Sequence, residues 1–164
     1  MIHCTFLNKQ NKSEILPLLF ELFYENMNSF FPSGESYHTQ RGNWIAEISA
    51  AIDKASRQII LCYEDDRLVG FIMYYTRQDL LMVEELQIQK EYQRTCIFYI
   101  LCSFLAKHLP AGVSCIEAFA HKPNKYSQKL MRRLGMQLVD DNHPDFVHYR
   151  GMISISLLSN LRSD

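Results

Sequence analysis

Apolar side chains recur at helical spacing along the first third of the chain. They fall first at Ile15, Leu19, Leu22, Phe23 and Phe30, and then at Trp44, Ile48, Ala51, Ile52 and Ala55. This period places each set on one face of a helix. Ser13 is a candidate N-cap for the first helix, and Pro17 lies in its first turn, where a missing N–H costs little. The pattern predicts two amphipathic helices, the second ending near Ala55.

Shorter apolar runs between polar turns predict β-strands. They cover Ile2–Leu7, Arg57–Tyr63, Leu68–Tyr75, Leu80–Gln89, Val113–His121, Met136–Val139 and Phe146–Leu158. The three strands between Arg57 and Gln89 are joined by short polar turns, so they predict an antiparallel meander. Two more helices are predicted over Cys96–Leu109 and Pro123–Leu134, with Gly135 as the C-terminal cap of the last. An ordinary crossover through the Cys96–Leu109 helix makes its two flanking strands parallel.

The strand Leu80–Gln89 leads through the polar stretch Lys90–Thr95 into the helix Cys96–Leu109. A helix start presents unpaired backbone N–H groups and the positive end of the helix dipole. A loop that enters such a helix is suited to bind a phosphate or a pyrophosphate. The sequence therefore predicts an anion site near Gln93–Phe98.

The same stretch resembles motif A of the GNAT superfamily of N-acetyltransferases. In that family a Glu-Leu-x-Val-like strand end precedes Gln/Arg-x-x-Gly-x-Gly/Ala, and this chain has Glu85-Leu86-Gln87-Ile88 and then Gln93-Arg94-Thr95-Cys96-Ile97-Phe98. Residues 124–136 and Leu68-Val-Gly-Phe are similar to two further segments of the family, and the predicted order β-α-α-β-β-β-α-β-α-β-β is also the family's. The resemblance implies an α/β (α+β) fold with a mixed, mostly antiparallel twisted sheet, a parallel pair near the cofactor site, and helices on both faces.

The resemblance also implies that acetyl coenzyme A (acetyl-CoA) binds along this motif as a co-substrate. The expected contacts are the strand end, the loop and two residues of the last helix: Leu86, Gln87, Ile88, Gln93, Arg94, Thr95, Cys96, Ile97, Phe98, Asn124 and Ser127. Cys96 and Phe98 stand where the family has glycine or alanine. If the loop binds the pyrophosphate, we expect both side chains to turn into the helix interface, whereas a Phe98 ring in the phosphate site would close that site. Asn124 would serve equally well as a plain helix N-cap.

Three residues are candidates for accepting the proton of an attacking amine. Glu84 and Glu85 lie on the strand that borders the acetyl group in this family, and the resemblance favours Glu85. Neighbours on a strand face opposite ways, so we expect only one of the two to point at the site. His121, at the end of the next strand, is a third candidate because histidine titrates near neutral pH. Met131 replaces the family's usual tyrosine and cannot donate a proton, which leaves Tyr126, Tyr149 or water as the acid.

Composition limits the class of protein. The 164 residues carry a net charge of −1, so no overall field attracts nucleic acid. The five cysteines include no Cys-x-x-Cys pair, and four lie in apolar runs, which suggests buried thiols in a reducing compartment. With neither a signal peptide nor a membrane segment in the pattern, we expect a cytoplasmic protein that forms a single GNAT-like domain over 1–164. No metal site is predicted, and homodimerisation is left open.

Two functions fit these observations. The first is an acetyl-CoA-dependent N-acetyltransferase that transfers an acetyl group to a primary amine of a small molecule or peptide by direct attack. The second is a degenerate relative that no longer uses the cofactor and serves as a non-catalytic binding or regulatory module. The substitutions at Cys96, Phe98 and Met131 favour the second function, whereas the order of elements and the three matching segments favour the first.

Overall fold

The computed structural model describes residues 1–30 and 33–153. These residues form the strands β1 (Ile2–Phe6), β2 (Gln58–Glu64), β3 (Arg67–Arg77), β4 (Leu80–Ile88), β5 (Cys115–His121), β6 (Gln137–Asp140) and β7 (Phe146–Met152). The helices are α1 (Lys12–Met27), α2 (Tyr37–Asp53), α3 (Ile97–Lys107) and α4 (Lys125–Arg133), with a 3-10 turn at Lys90–Tyr92 before α3. The predicted order of elements is confirmed. The part of the predicted Phe146–Leu158 strand beyond residue 153 lies outside the described residues.

The strands form one mixed sheet in the order β1-β2-β3-β4-β5-β7-β6. β4 and β5 pair in parallel through Leu80–Val83 and Cys115–Ala118. Antiparallel ladders join β1 to β2, β5 to β7, and β6 to β7. The predicted fold class, a mostly antiparallel sheet with one parallel pair, is therefore confirmed.

The chain divides into two compact units. The first unit contains Met1–Met73 and Glu85–Cys102, and the second contains Tyr74–Glu84 and residues 103–153 of the described chain. Strands β3 and β4 contribute residues to both units. The single domain over 1–164 stays a prediction.

The core of the first unit forms where α1 and α2 pack against β2 and β3. Its buried side chains include Leu19 of α1, Leu61 of β2 and Phe71 of β3. Two predicted details of α1 are wrong, because Asn11 rather than Ser13 takes the N-cap position and the helix ends at Met27, before Phe30. The Asn11 carbonyl accepts the backbone N–H groups of residues 14 and 15, which starts the helix two residues earlier than predicted.

Gly70 on β3 packs directly against the next strand. A Cβ at this position would lie 2.9 Å from the carbonyl oxygen of Gln87 and 3.3 Å from a side-chain carbon of Leu101. Because the closest atom belongs to the backbone, we expect Gly70→Ala to lower the free energy of unfolding by about 1 to 3 kcal/mol. Gly42→Ala is the matched control, since Gly42 lies within α2 with nothing within 4 Å and should gain about 0.5 to 1 kcal/mol. Urea unfolding of both variants checks this, and equal stabilities would contradict it.

The core of the second unit forms between α4, β5 and β7. Ala118, Ala120, Met136, Val147 and Tyr149 are buried together, and Met131 of α4 and the C-cap residue Leu134 pack against them. Strand β5 begins two residues later than predicted, because the backbone N–H groups of Ser114 and Cys115 both donate to the carbonyl of Asp79. Among the described helices, none combines the length and apolar character needed to span a membrane.

The cysteines are free thiols with different degrees of burial. Cys62 and Cys115 are buried, Cys4 and Cys102 are half-buried, and Cys96 is exposed. The expectation of four buried thiols is therefore right for two of them.

Candidate functional site

The predicted anion loop lies in the first unit, between β4 and α3. After the turn at Lys90–Tyr92 the backbone takes a left-handed conformation at Arg94, where φ is +69°. Thr95 holds the turn, because its hydroxyl donates to the carbonyl of Tyr92 at 2.6 Å and accepts from the N–H of Ile97 at 3.4 Å. Arg94, Thr95 and Cys96 are all exposed. A non-glycine residue at positive φ is strained, and such strain often marks a functional loop.

The side chains at the two glycine positions of the motif lie in different surroundings. Phe98 is buried, with 7% of its surface exposed, and its ring meets that of Tyr99 edge to face with centroids 5.3 Å apart. Cys96 is exposed, because it precedes the first residue of α3 at the turn. The expectation that both side chains turn into the helix interface is therefore right for Phe98 and wrong for Cys96.

Asn26 of α1 bonds to the end of β4. Its Nδ2 donates to the carbonyl of Ile88 at 2.9 Å and to Oε1 of Gln87 at 3.0 Å. Gln93 donates to the same Ile88 carbonyl at 3.1 Å, so the first residue of the loop and a helix residue share one backbone acceptor. Gln87 is buried and donates to Glu85 at 2.8 Å. Sequence reasoning missed Asn26, although a polar residue three positions after Phe23 interrupts the apolar stripe of α1.

The two adjacent carboxylates of β4 have different surroundings. Glu85 belongs to the first unit, where it accepts the hydrogen bond from Gln87. Glu84 belongs to the second unit, where it lines a cavity of about 540 Å³. Leu86 follows them and is half-buried.

Aromatic rings and polar side chains share the walls of this cavity. The rings are those of Tyr75, Phe119 and Phe146, with Met82 and Val83 beside them. The polar lining groups are Glu84, Asp140, His143 and His148. These residues come from β3, β4, β5, β6, β7 and the β6–β7 connection, so the cavity brings together residues that are distant in sequence.

His148 is held against β5 by two neighbours. Its ring stacks on Phe119 with centroids 4.5 Å apart and planes 12° apart. Its Nε2 lies 3.1 Å from Oε2 of Glu117, and Nε of Arg150 lies 3.5 Å from the other carboxylate oxygen. Glu117 and Arg150 are direct cross-strand partners, as are Phe119 and His148. Sequence reasoning missed His148 and Glu117 because their pairing depends on strand register.

His121 ends β5 and is 4% exposed. Its ring packs on that of Phe146 with centroids 4.2 Å apart. Burial lowers the pKa of His121 below its usual range, against the opposing field of Asp145. The imidazole is therefore neutral near pH 7 and able to accept a proton.

The start of α4 is organised by side-chain amides. Asn124 caps the helix by accepting the N–H of Ser127 at 3.0 Å, and Ser127 is half-buried. Gln128, which sequence reasoning missed, is buried and donates to the carbonyls of His121 and Lys122 at 3.1 and 2.9 Å. The capping role of Asn124 is confirmed, and its contact with a cofactor stays a prediction.

The position of the family's usual tyrosine is part of the core. Met131 packs with Leu134 against the buried cluster of the second unit. Tyr149 is fully buried in that cluster, where the Arg132 guanidinium lies 5.7 Å from its ring centroid. Tyr126 is 41% exposed. Of the two tyrosines considered as acids, only Tyr126 is open to solvent.

The sequence matches the Acetyltransferase (GNAT) family over residues 17–136, which is more than half of the chain. The protein belongs to this family of acetyltransferases. No curated protein matches it in sequence.

Solved structures share its fold at low sequence identity. An acetyltransferase from Thermus thermophilus has a TM-score of 0.75 and 13% identity, covering 93% of this chain and 97% of its own. The PaiA N-acetyltransferase from Thermoplasma acidophilum, in complex with coenzyme A, has a TM-score of 0.72 and 15% identity, covering 93% and 99%. The Campylobacter jejuni N-acetyltransferase PseH, in complex with acetyl coenzyme A, has a TM-score of 0.63 and 16% identity, covering 94% and 100%. At these identities the likeness establishes the fold.

Proposed function

We propose that the protein transfers the acetyl group of acetyl-CoA to a primary amine. The observation that carries this proposal is the burial of the Phe98 ring, which leaves the exposed turn Arg94–Cys96 open in front of α3. Two of the structural relatives are complexes with coenzyme A or acetyl coenzyme A, which supports the same ligand here.

The residues of the loop fit a pyrophosphate. The first N–H groups of a helix have no acceptor within the helix. At α3 the N–H of Ile97 donates to the Thr95 hydroxyl, which leaves those of Phe98 and Tyr99 for the phosphate. Backbone N–H groups bind phosphate whatever their side chains, provided that no side chain blocks the approach. The exposed Arg94 adds a cation that is suited to a charge-assisted bond with phosphate. We therefore assign the pyrophosphate to Gln93–Phe98 and the cofactor arm to Leu86–Ile88, with Asn124 and Ser127 as further proposed contacts.

The chain's own groups would position the reactants and accept the amine proton. Acetyl-CoA supplies a thioester carbonyl, and backbone N–H groups at the end of β4 would polarise that carbonyl. We assign the proton acceptor to Glu84, because it lines a cavity in which an amine can bind. Glu85 and His121 are the other proposed acceptors. Positioning and backbone dipoles would supply most of the rate acceleration.

Calorimetric titration with acetyl-CoA tests the proposal directly. We expect saturable binding with one site per chain. Absence of binding at millimolar acetyl-CoA would contradict the proposed function and favour the non-catalytic module, for which the half-buried Met131, packed against the core, is the main structural argument.

The hydrogen bonds of Asn26 lead to a second prediction about the cofactor. Asn26→Ala removes both hydrogen bonds to the end of β4. The Ile88 carbonyl keeps the bond from Gln93, whereas Oε1 of the buried Gln87 loses its donor, and an unsatisfied buried acceptor costs about 1 to 3 kcal/mol. We expect the variant to remain folded and to bind coenzyme A about tenfold more weakly, because the Ile88 carbonyl that also orients Gln93 loses a partner. Calorimetry measures the affinity. Asn28→Ala, which changes an exposed asparagine just after α1, is the control. Equal affinities in both variants would refute a positioning role for Asn26.

A further inference from the structure

We infer that the cavity of the second unit selects a primary amine carried on an apolar, uncharged body and rejects amines that also bear a carboxylate or phosphate. This inference rests on the proposed function, because it names the class of acceptor that the enzyme would use. It derives from the lining of the cavity, which combines fixed aromatic walls with acidic groups.

The walls of the cavity are aromatic and held in place. Phe119 stacks on His148, and Phe146 packs on His121 with centroids 4.2 Å apart. Tyr75 adds a third ring. Rings with fixed orientation suit an apolar body, and their faces also attract an ammonium group. A volume of about 540 Å³ is in the range of small-molecule sites.

The charges of the lining favour a cation and oppose an anion. Glu84 and Asp140 supply carboxylates, and within residues 1–30 and 33–153 the lining includes neither lysine nor arginine. Arg150 follows His148 by two residues on β7, but its guanidinium lies against Glu117. A carboxylate or phosphate on the acceptor would therefore meet acidic groups without a matching cation, which is how a site discriminates between related ligands.

Two histidines also line the cavity, and they decide the pH at which the experiment is made. His143 and His148 belong to the lining, and an imidazole attracts an anion only when it carries a proton. His148 also has Glu117 beside it, and the other ionisable groups of the lining are Glu84, Asp140 and Tyr75. The comparison is made at a pH of about 8.5, because alkaline pH favours the neutral form of an imidazole and leaves the carboxylates to determine the preference.

The experiment compares phenethylamine with L-phenylalanine, which differ by a single carboxylate. We expect the wild-type protein to acetylate phenethylamine with a kcat/KM at least about tenfold higher than for L-phenylalanine at a pH of about 8.5, equivalent to about 1.4 kcal/mol. Glu84→Gln and Asp140→Asn should each lower this ratio towards one, because each removes a negative charge that repels the carboxylate of L-phenylalanine. The ratio within one variant cancels any general loss of rate. Asp141→Asn changes an exposed neighbour of Asp140 and should leave the ratio unchanged.

Amine binding is also measured by calorimetry without acetyl-CoA, which separates the two proposals. If acetyl-CoA does not bind but phenethylamine does, the proposed function fails and the preference of the cavity stands. If acetyl-CoA binds but phenethylamine neither binds nor reacts, this inference is overturned and the proposed function stands. A ratio near one, or a preference for L-phenylalanine, would also overturn it.

Discussion

Phe98→Gly should destabilise the protein by about 3 to 5 kcal/mol without increasing its affinity for coenzyme A. The ring is buried in the first unit, with 7% of the residue exposed, so its removal leaves a cavity, and glycine within a helix adds a backbone penalty of about 1 kcal/mol. Such a loss is a large share of the roughly 5 to 15 kcal/mol typical of whole domains. Urea unfolding and calorimetric titration with coenzyme A measure the two effects.

Cys96→Gly is the matched control for this prediction, because it restores the other glycine of the motif at an exposed position. We expect its stability to change by no more than about 0.5 kcal/mol. A Phe98→Gly protein that gained affinity while keeping its melting temperature would mean that the ring occupies the phosphate site. That result would favour a relative that has closed its cofactor site.

Glu84→Gln should lower kcat/KM by about 10²-fold, as the loss of a general base commonly does, while the affinity for acetyl-CoA stays nearly unchanged. The amide keeps the size of the side chain in the cavity but cannot accept the amine proton. Steady-state kinetics with the best amine acceptor, together with titration of acetyl-CoA, measure the two quantities.

Glu85→Gln is the natural comparison, since the two carboxylates are adjacent on β4. We expect a smaller kinetic effect, because Glu85 already accepts a hydrogen bond from the buried Gln87. If Glu85→Gln instead loses the activity and Glu84→Gln keeps it, then the sequence-based prediction of Glu85 as the proton acceptor is right. If neither variant loses activity, His121 is the next residue to change, and its neutral imidazole makes it a reasonable acceptor.

The sequence alone determined the elements and the position of the candidate cofactor loop. Helical and strand periods are local patterns, so the order of elements and the strand–loop–helix at Leu80–Leu109 were predictable within a few residues. The boundaries were less predictable. The start of α1 depends on which backbone carbonyl accepts the first N–H groups of the helix. In this structure it is the carbonyl of Asn11.

Tertiary structure decided which side chains surround the candidate site. Cys96 and Phe98 are two residues apart, and only the packing of α3 shows that one is exposed and the other buried. The bond from Asn26 to Ile88 joins residues 62 positions apart. The cavity likewise requires the register that sets Phe119 beside His148 on neighbouring strands. Such contacts depend on how distant segments pair, and no local period in the sequence encodes that pairing.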